Sequence, residues 1–195
     1  MNLPNLLTFS RIGLACLFVA LLLTGGLWAV TGALFVFILA CLTDWWDGLL
    51  ARRRGQATPF GALLDPIADK ILVLSAFLMF VWLRIIPAWM VAVLIGREVL
   101  ITGVRLVVVA RGRVLPALAS GKRKTVSQMT AILTILPLLV AREAALRWGL
   151  SPNAVVLWTG RIGYVVTLVA VVFTIISGLQ FLFVNRFVFR HAPAR

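Results

Sequence analysis

Long apolar runs restrict this chain more than any other feature. Six such stretches follow one another along the 195 residues, with only short polar segments between them. A helix needs about 20 residues to cross the hydrocarbon core of a bilayer. Hydrophobic residues make up 62% of the chain and charged residues only 13%, whereas a soluble domain carries about a quarter charged residues. The chain is therefore predicted to be an all-α polytopic membrane protein.

The apolar runs divide into six predicted transmembrane helices. The run over residues 12–43 is too long for one crossing, and Gly25-Gly26 divides it in two. The short links "TGG" and "RIIP" predict tight turns, and "PNLLTF" predicts a short N-terminal interfacial helix at the headgroup level. No polar region is long enough for a second folded unit, so we expect residues 1–195 to form a single membrane domain. The predicted spans are 12–24, 28–52, 61–83, 87–110, 125–141 and 153–184.

The distribution of basic residues predicts an orientation. The formal net charge is +13, and Lys and Arg are enriched in cytoplasmic loops of membrane proteins. Six spans place both termini on one side, where twelve basic residues lie, against three on the other side (Arg84, Arg142 and Arg147) and four within spans. We therefore expect both termini and the active site to face the cytoplasm, in a bacterial inner membrane. Nucleic-acid binding is not expected, because the basic residues are scattered between apolar spans.

Four of the six acidic residues lie in one short window that covers the end of the second span and the start of the third, at Asp44, Asp47, Asp65 and Asp69. Residues three, four and seven apart share one face of a helix, so each span carries a stripe with two carboxylates. If the two helices are antiparallel neighbours, the stripes converge, and the carboxylates would repel one another. Divalent cations remove this repulsion, and oxygen ligands suit Mg²⁺, Mn²⁺ or Ca²⁺.

Structural explanations for these aspartates stay open at this point. Asp65 precedes Pro66, which is a common arrangement at the start of a helix. Asp44 and Asp47 could pair with the basic run 52–54 in a solvated cluster. Ionisable residues within spans are nevertheless costly, so they are functional candidates by default.

The window reads D-x2-D-G-x2-A-R-x8-G-x3-D-x3-D, from Asp44 to Asp69, and this pattern resembles the signature of the CDP-alcohol phosphatidyltransferase family. The resemblance implies a six-helix membrane enzyme, usually a homodimer, that displaces CMP from a CDP-linked substrate with an alcohol. It implies two divalent cations, Mg²⁺ or Mn²⁺, held by the four aspartates, with Asp69 as general base. The CDP-binding residues that it implies are Asp44, Gly48, Ala51, Arg52 and Gly61.

Other segments bear on the acceptor alcohol. "IGREVLITGVR" and "SGKRKTVSQM" resemble segments of the glycerophosphate-using members, whereas "LPNLLTFSRI" also resembles the opening of the cardiolipin-forming members. Arg97 and Arg105 are eight residues apart and are expected on one helix face. An acceptor phosphate beside four aspartates needs cations, and arginine offers bidentate geometry. We therefore expect transfer from CDP-diacylglycerol to sn-glycerol 3-phosphate, giving phosphatidylglycerol phosphate, with the acceptor phosphate bound by Arg97, Arg105, Lys122 and Lys124.

Weaker candidates and other interpretations remain. Arg97 could form only a structural pair with Glu98, and Lys70 could neutralise the site or extend to the membrane interface. The acceptor could instead be phosphatidylglycerol, inositol phosphate or inositol. A divalent-cation transporter would distribute its carboxylates across the membrane, whereas here they lie near one face. The weaker site candidates are Asn5, Thr8, Arg11, Glu98, Arg123 and Arg161.

Overall fold

A computed structural model describes the backbone of residues 3–54, 59–110, 119–149 and 152–185. Side chains are described for residues 10–43, 70–108, 121–149 and 153–185. Within these ranges every regular element is an α-helix, which confirms the all-α class. The six helices are α1 (Leu3–Thr24), α2 (Leu27–Arg54), α3 (Pro59–Trp82), α4 (Ala88–Ala110), α5 (Ala119–Arg147) and α6 (Pro152–Val184).

The helix boundaries follow the predicted spans most closely where turn residues mark them. Gly25 and Gly26 have φ angles of 67° and 80°, which glycine adopts without the steric cost of a Cβ. They end α1, as predicted. The end of α3 is a Schellman motif, in which Arg84 has a φ of 56° and the amide of Ile85 donates to the carbonyl of Phe80 at 2.9 Å. This motif satisfies carbonyl groups that the last turn of a helix leaves open.

Two elements differ from the predicted boundaries. The stretch predicted as a separate interfacial helix is instead the beginning of α1, which runs without a break from Leu3 to Thr24. Pro4 lies in the first turn, where its missing N–H removes no helical hydrogen bond, and no further proline interrupts the helix. The fifth helix is six residues longer at each end than its predicted span and contains Pro137.

The helices pack into one bundle, and all six contribute buried apolar residues to its core. α1 lies against both α2 and α3, α3 also contacts α4 and α5, and α6 contacts α4 and α5. The rings of Phe18 and Phe37 lie 5.7 Å apart, and those of Phe77 and Phe80 lie 6.1 Å apart in an edge-to-face arrangement. All four side chains are fully buried. Such pairs add to the free energy of apolar burial.

The outer surface suits lipid. Within the described residues, two helical segments are long and apolar enough to cross a membrane, Gly121–Arg147 and Asn153–Val184. The described apolar portions of the first three helices are shorter. Large apolar side chains such as Phe35, Leu157 and Phe183 are exposed, and an apolar surface of this kind marks contact with a membrane or a partner.

The two ends of the bundle differ in chemistry. The beginnings of α1, α3 and α5 and the ends of α2, α4 and α6 lie together at one end, which we call the cavity end. The opposite end carries five tryptophans, at positions 28, 82, 89, 148 and 158, whose exposed fractions lie between 48% and 74%. Tryptophan is enriched at membrane–water interfaces.

Candidate functional site

A cavity of about 300 Å³ opens at the cavity end between α1, α2, α3, α4 and α5. This volume is at the lower limit of pockets that hold small molecules. The described lining of the cavity includes four cations and one carboxylate, so these lining residues have an excess of three positive charges. The charged lining residues are Arg11, Lys70, Glu98, Arg105 and Lys124.

Glu98 is the centre of an ion cluster that joins three helices. Its side chain is only 10% exposed and pairs with the ammonium of Lys124, from α5. Arg97 donates to Glu98 Oε1 at 3.1 Å, and the Nζ atom of Lys70, from α3, lies 3.4 Å from Oε2. Lys70 also donates to the hydroxyl of Thr102 at 2.8 Å. A buried carboxylate is tolerated when several partners compensate it, and here three cations surround one anion.

The two arginines of α4 have different partners. Eight residues advance a helix by about 80° beyond two full turns, so Arg97 and Arg105 are offset around α4, although both side chains reach α6. Arg105 lines the cavity, and its guanidinium lies 6.0 Å from the centre of the Phe181 ring. Arg97 turns toward α6, where its Nη2 donates to Ser177 Oγ at 2.7 Å. Arg105 is therefore available to a bound anion, and Arg97 is occupied by Glu98 and α6.

This arrangement suits a phosphate group. Charge-assisted hydrogen bonds from arginine and lysine to phosphate oxygens are stronger than neutral ones. Partial enclosure also lowers solvent screening of those charges. The described lining residues carry a net positive charge, to which a neutral alcohol adds no negative charge. A phosphorylated ligand compensates most of that charge.

The aspartate window lies at the same end of the bundle. Asp44 and Asp47 are in the last three turns of α2, and Asp65 and Asp69 are in the first three turns of α3. Cys41 and Lys70 line the cavity. Asp44 follows Cys41 by three residues, hence on one helix face, and Asp69 directly precedes Lys70. The aspartate side chains lie outside the described residues, so their predicted role as metal ligands stays a prediction.

Six other predicted site residues also lie outside the ranges in which side chains are described. These are Gly48, Ala51, Arg52 and Gly61, together with Asn5 and Thr8 near the N-terminus. The described side chains include no group of three His, Cys, Asp or Glu residues that could hold a metal ion. By its chemistry, the four-carboxylate set on α2 and α3 fits hard divalent cations, which prefer oxygen ligands.

The remaining candidates are distributed over both ends. Arg11 is 7% exposed and lines the cavity. Lys122 and Arg123 are exposed beside Lys124 and are not among the described lining residues. Arg161 is exposed on the early part of α6, and its guanidinium lies 6.0 Å from the ring of Trp158, in the tryptophan-bearing half of the bundle.

Sequence reasoning missed the contribution of α6. Ser177 and Thr174 are 2% and 0% exposed in an otherwise apolar helix. Thr174 accepts from Gln128 Nε2 at 3.5 Å, and Gln128 is part of the cavity lining. The available signal was the pair of hydroxyl residues, Thr174 and Ser177, three positions apart within an apolar span. Their partners could not be known, because hydroxyls in helices often bond their own backbone instead.

Comparison with known proteins agrees with the chemistry of the cavity. A family model described as CDP-alcohol phosphatidyltransferase matches residues 1–176. A protein of Bacillus subtilis (strain 168) named CDP-diacylglycerol–glycerol-3-phosphate 3-phosphatidyltransferase is 40% identical over 148 residues, which is 69% of this chain and 76% of that protein. A Pseudomonas fluorescens protein of the same name is 38% identical over 191 residues, with 93% and 89% covered. A third, from Shigella flexneri, is 36% identical over 188 residues, with 93% of each covered. The chain belongs to the CDP-alcohol phosphatidyltransferase family.

Proposed function

We propose that this member of the family transfers the phosphatidyl group of CDP-diacylglycerol to sn-glycerol 3-phosphate, giving phosphatidylglycerol phosphate and CMP. The observation that carries the proposal is the surplus of positive charge in the cavity beside the aspartate-bearing ends of α2 and α3. The relatives named for this reaction support it.

The reaction is a direct in-line displacement. The primary hydroxyl oxygen of the acceptor attacks the phosphorus of the phosphatidyl group, and the bond from that phosphorus to the bridging oxygen of CMP breaks. CMP leaves with the bond's electron pair, and Asp69 takes the proton of the attacking hydroxyl as general base. No covalent enzyme intermediate is needed, because the acceptor itself is the nucleophile.

The aspartates Asp44, Asp47, Asp65 and Asp69 are the residues that would hold two divalent cations, Mg²⁺ or Mn²⁺. When bound, such cations neutralise the pyrophosphate and stabilise charge that develops on CMP. In this proposal Gly48 and Ala51 would leave space for the cytidine diphosphate, and Arg52 would offer a guanidinium to its phosphates. Gly61 would belong to the same binding surface.

The acceptor phosphate binds between α4 and α5. Arg105 and Lys124 line the cavity from these two helices, and Lys70 adds a third cation from α3. Arg97 acts on the cavity through Glu98, with which it is paired. Lys122 is exposed and raises the positive potential around the entrance, which attracts an anionic substrate.

The chain is further proposed to cross the bacterial inner membrane six times as a homodimer, with both termini and the cavity end facing the cytoplasm. The asymmetry of Lys and Arg supports this orientation. Cysteines introduced in place of Arg123 and Arg147, in a variant without native cysteines, should label from opposite sides in spheroplasts. Labelling of both from the same side contradicts the orientation.

An acceptor panel tests the reaction. Purified protein in detergent is given CDP-diacylglycerol, Mg²⁺ or Mn²⁺, and one of four acceptors: sn-glycerol 3-phosphate, phosphatidylglycerol, inositol or inositol phosphate. We expect CMP release and phosphatidylglycerol phosphate only with the first. Product from phosphatidylglycerol without product from sn-glycerol 3-phosphate would overturn the proposed acceptor.

A further inference from the structure

One face of α6 supports the cavity without being part of its described lining. Thr174, Ser177, Gly178 and Phe181 have the i, i+3, i+4, i+7 spacing that places them on one helix face, and we call them the α6 stripe. All four are buried. Three of them lie beyond residue 176, where the match to the family ends.

Each member of the stripe lies next to a residue that supports the cavity. That residue either lines the cavity itself or is bonded to a residue that lines it. Ser177 accepts a 2.7 Å hydrogen bond from Arg97, which in turn donates to Glu98. Phe181 lies under the guanidinium of Arg105. Thr174 accepts from Gln128. Three supports of the cavity therefore converge on less than two turns of α6.

The fit around Arg97 is close. A Cβ at Gly178 would lie 3.3 Å from Arg97 Cγ and 3.8 Å from its Nε. The Arg97 side chain is only 15% exposed, so it has little room to move aside. Glycine at this position and the hydroxyl at Ser177 together fix where the guanidinium lies. The guanidinium then restricts the carboxylate of Glu98.

We propose that the α6 stripe positions the cations that bind the acceptor phosphate. Ser177 and Gly178 are positioning residues that seat Arg97, and Arg97 holds Glu98 where it orients the two lysines of the cavity. The inference rests on the proposed function, since it concerns how the acceptor phosphate is held. It adds a determinant of acceptor affinity on a helix that contributes nothing to the described lining.

The experiment separates positioning from ordinary packing within α6. For each variant we would measure the steady-state KM for sn-glycerol 3-phosphate, the KM for CDP-diacylglycerol and the thermal stability. The variants are Ser177→Ala, Ser177→Thr, Gly178→Ala and two controls. A Cβ at Gly160 meets nothing within 4 Å, so Gly160→Ala is a neutral control. A Cβ at Gly163 would lie 2.7 Å from Ile85 Cγ2, so Gly163→Ala perturbs packing far from the cavity.

We expect Ser177→Ala and Gly178→Ala to raise the KM for sn-glycerol 3-phosphate about tenfold, as a lost charge-assisted hydrogen bond would. The KM for CDP-diacylglycerol should change less than about twofold, by the same conversion. Ser177→Thr keeps the hydroxyl and should restore the acceptor KM. Gly163→Ala should lower thermal stability and leave both KM values unchanged.

Two kinds of result overturn the inference alone. One is an active wild-type protein whose acceptor KM is unchanged in Ser177→Ala and Gly178→Ala. The other is an equal rise of both KM values, or a rise that Ser177→Thr does not reverse, since either would indicate a general packing role. Wild-type protein that turns over no sn-glycerol 3-phosphate with Mg²⁺ or Mn²⁺ overturns the proposed function as well.

Discussion

Replacing Glu98 with glutamine should destabilise the protein by leaving Lys124 buried without a counterion. Glutamine keeps the shape of the side chain and removes its negative charge, so the change isolates electrostatics from packing. The side chains of Lys124 and Glu98 are 9% and 10% exposed, so solvent cannot replace the lost carboxylate. Arg97 loses the same partner at 3.1 Å.

The expected cost follows from burial. Two unit charges 3.1 Å apart, the separation of Arg97 and Glu98, interact by roughly 5 kcal/mol at an effective dielectric constant of about 20. Much of this is offset by desolvation, and removing one partner of a buried pair costs about 3–5 kcal/mol. Lys70 is 36% exposed on its side chain, so water screens its share. We therefore expect about 3 kcal/mol, mainly from Lys124, at the lower end of that range.

Thermal denaturation in detergent measures this cost. For a chain of this length, about 3 kcal/mol corresponds to a decrease in Tm of roughly 6–12 °C. The informative comparison is the double variant Glu98→Gln with Lys124→Met, which removes the buried positive charge as well. Its Tm should recover at least half of the loss, because methionine fills similar space without a charge.

Additive effects of Glu98→Gln and Lys124→Met on Tm would refute this reasoning. If Lys124→Met lowers the Tm of the Glu98→Gln variant as much as it lowers that of the wild-type protein, the two residues are not coupled. A Tm of Glu98→Gln equal to that of the wild type would equally contradict the ion cluster. Thr125→Ala serves as a control that should leave the Tm nearly unchanged, since Thr125 lines the same cavity, is exposed, and its hydroxyl bonds the backbone carbonyl of Gly121 in its own helix.

Three further changes have defined outcomes. Arg105→Met should raise the KM for sn-glycerol 3-phosphate by about 10- to 100-fold, as loss of a phosphate contact predicts, and an unchanged KM contradicts its role. Asp69→Asn should abolish CMP release while the thermal denaturation profile stays close to that of the wild type; near-normal turnover excludes it as general base. Gly26→Ala forces an L-residue to a φ of 80° and should cost about 1–2 kcal/mol, seen as a lower Tm.

The helical architecture was predictable because its signals are local. Apolar runs indicate segments that are buried in lipid or in a protein core. Gly25-Gly26 ends α1, because the chain needs positive φ angles there. The predicted separate interfacial helix was wrong because its residues favour continuation into α1, where nothing after Pro4 breaks the hydrogen-bond ladder. Continuity of a helix depends on many weak preferences, so its ends are harder to predict than its existence.

The candidate site was predictable only in part. The spacing of the four aspartates could be read from the chain, and their roles stay predictions. Arg105 and Lys124 were selected for their charge, and the structure places both at the cavity. Arg97 and Arg105 were expected on one face of α4, and both side chains reach α6, where Arg97 bonds Ser177 and Arg105 lies beside Phe181. The offset of about 80° between them accompanies different roles, because Arg105 lines the cavity and Arg97 pairs with Glu98.

The amino-acid sequence by itself determined a helical membrane protein with a carboxylate-rich window and a surplus of basic residues. Only the tertiary structure decided that Lys70 and Lys124 join Arg97 at Glu98, and which helix supports this cluster. Arg97 and Ser177 are 80 residues apart, and helical periodicity carries no information over that distance. Which faces of which helices meet is settled by packing of the whole bundle, so the partners of a buried charge emerge only when the helices come together.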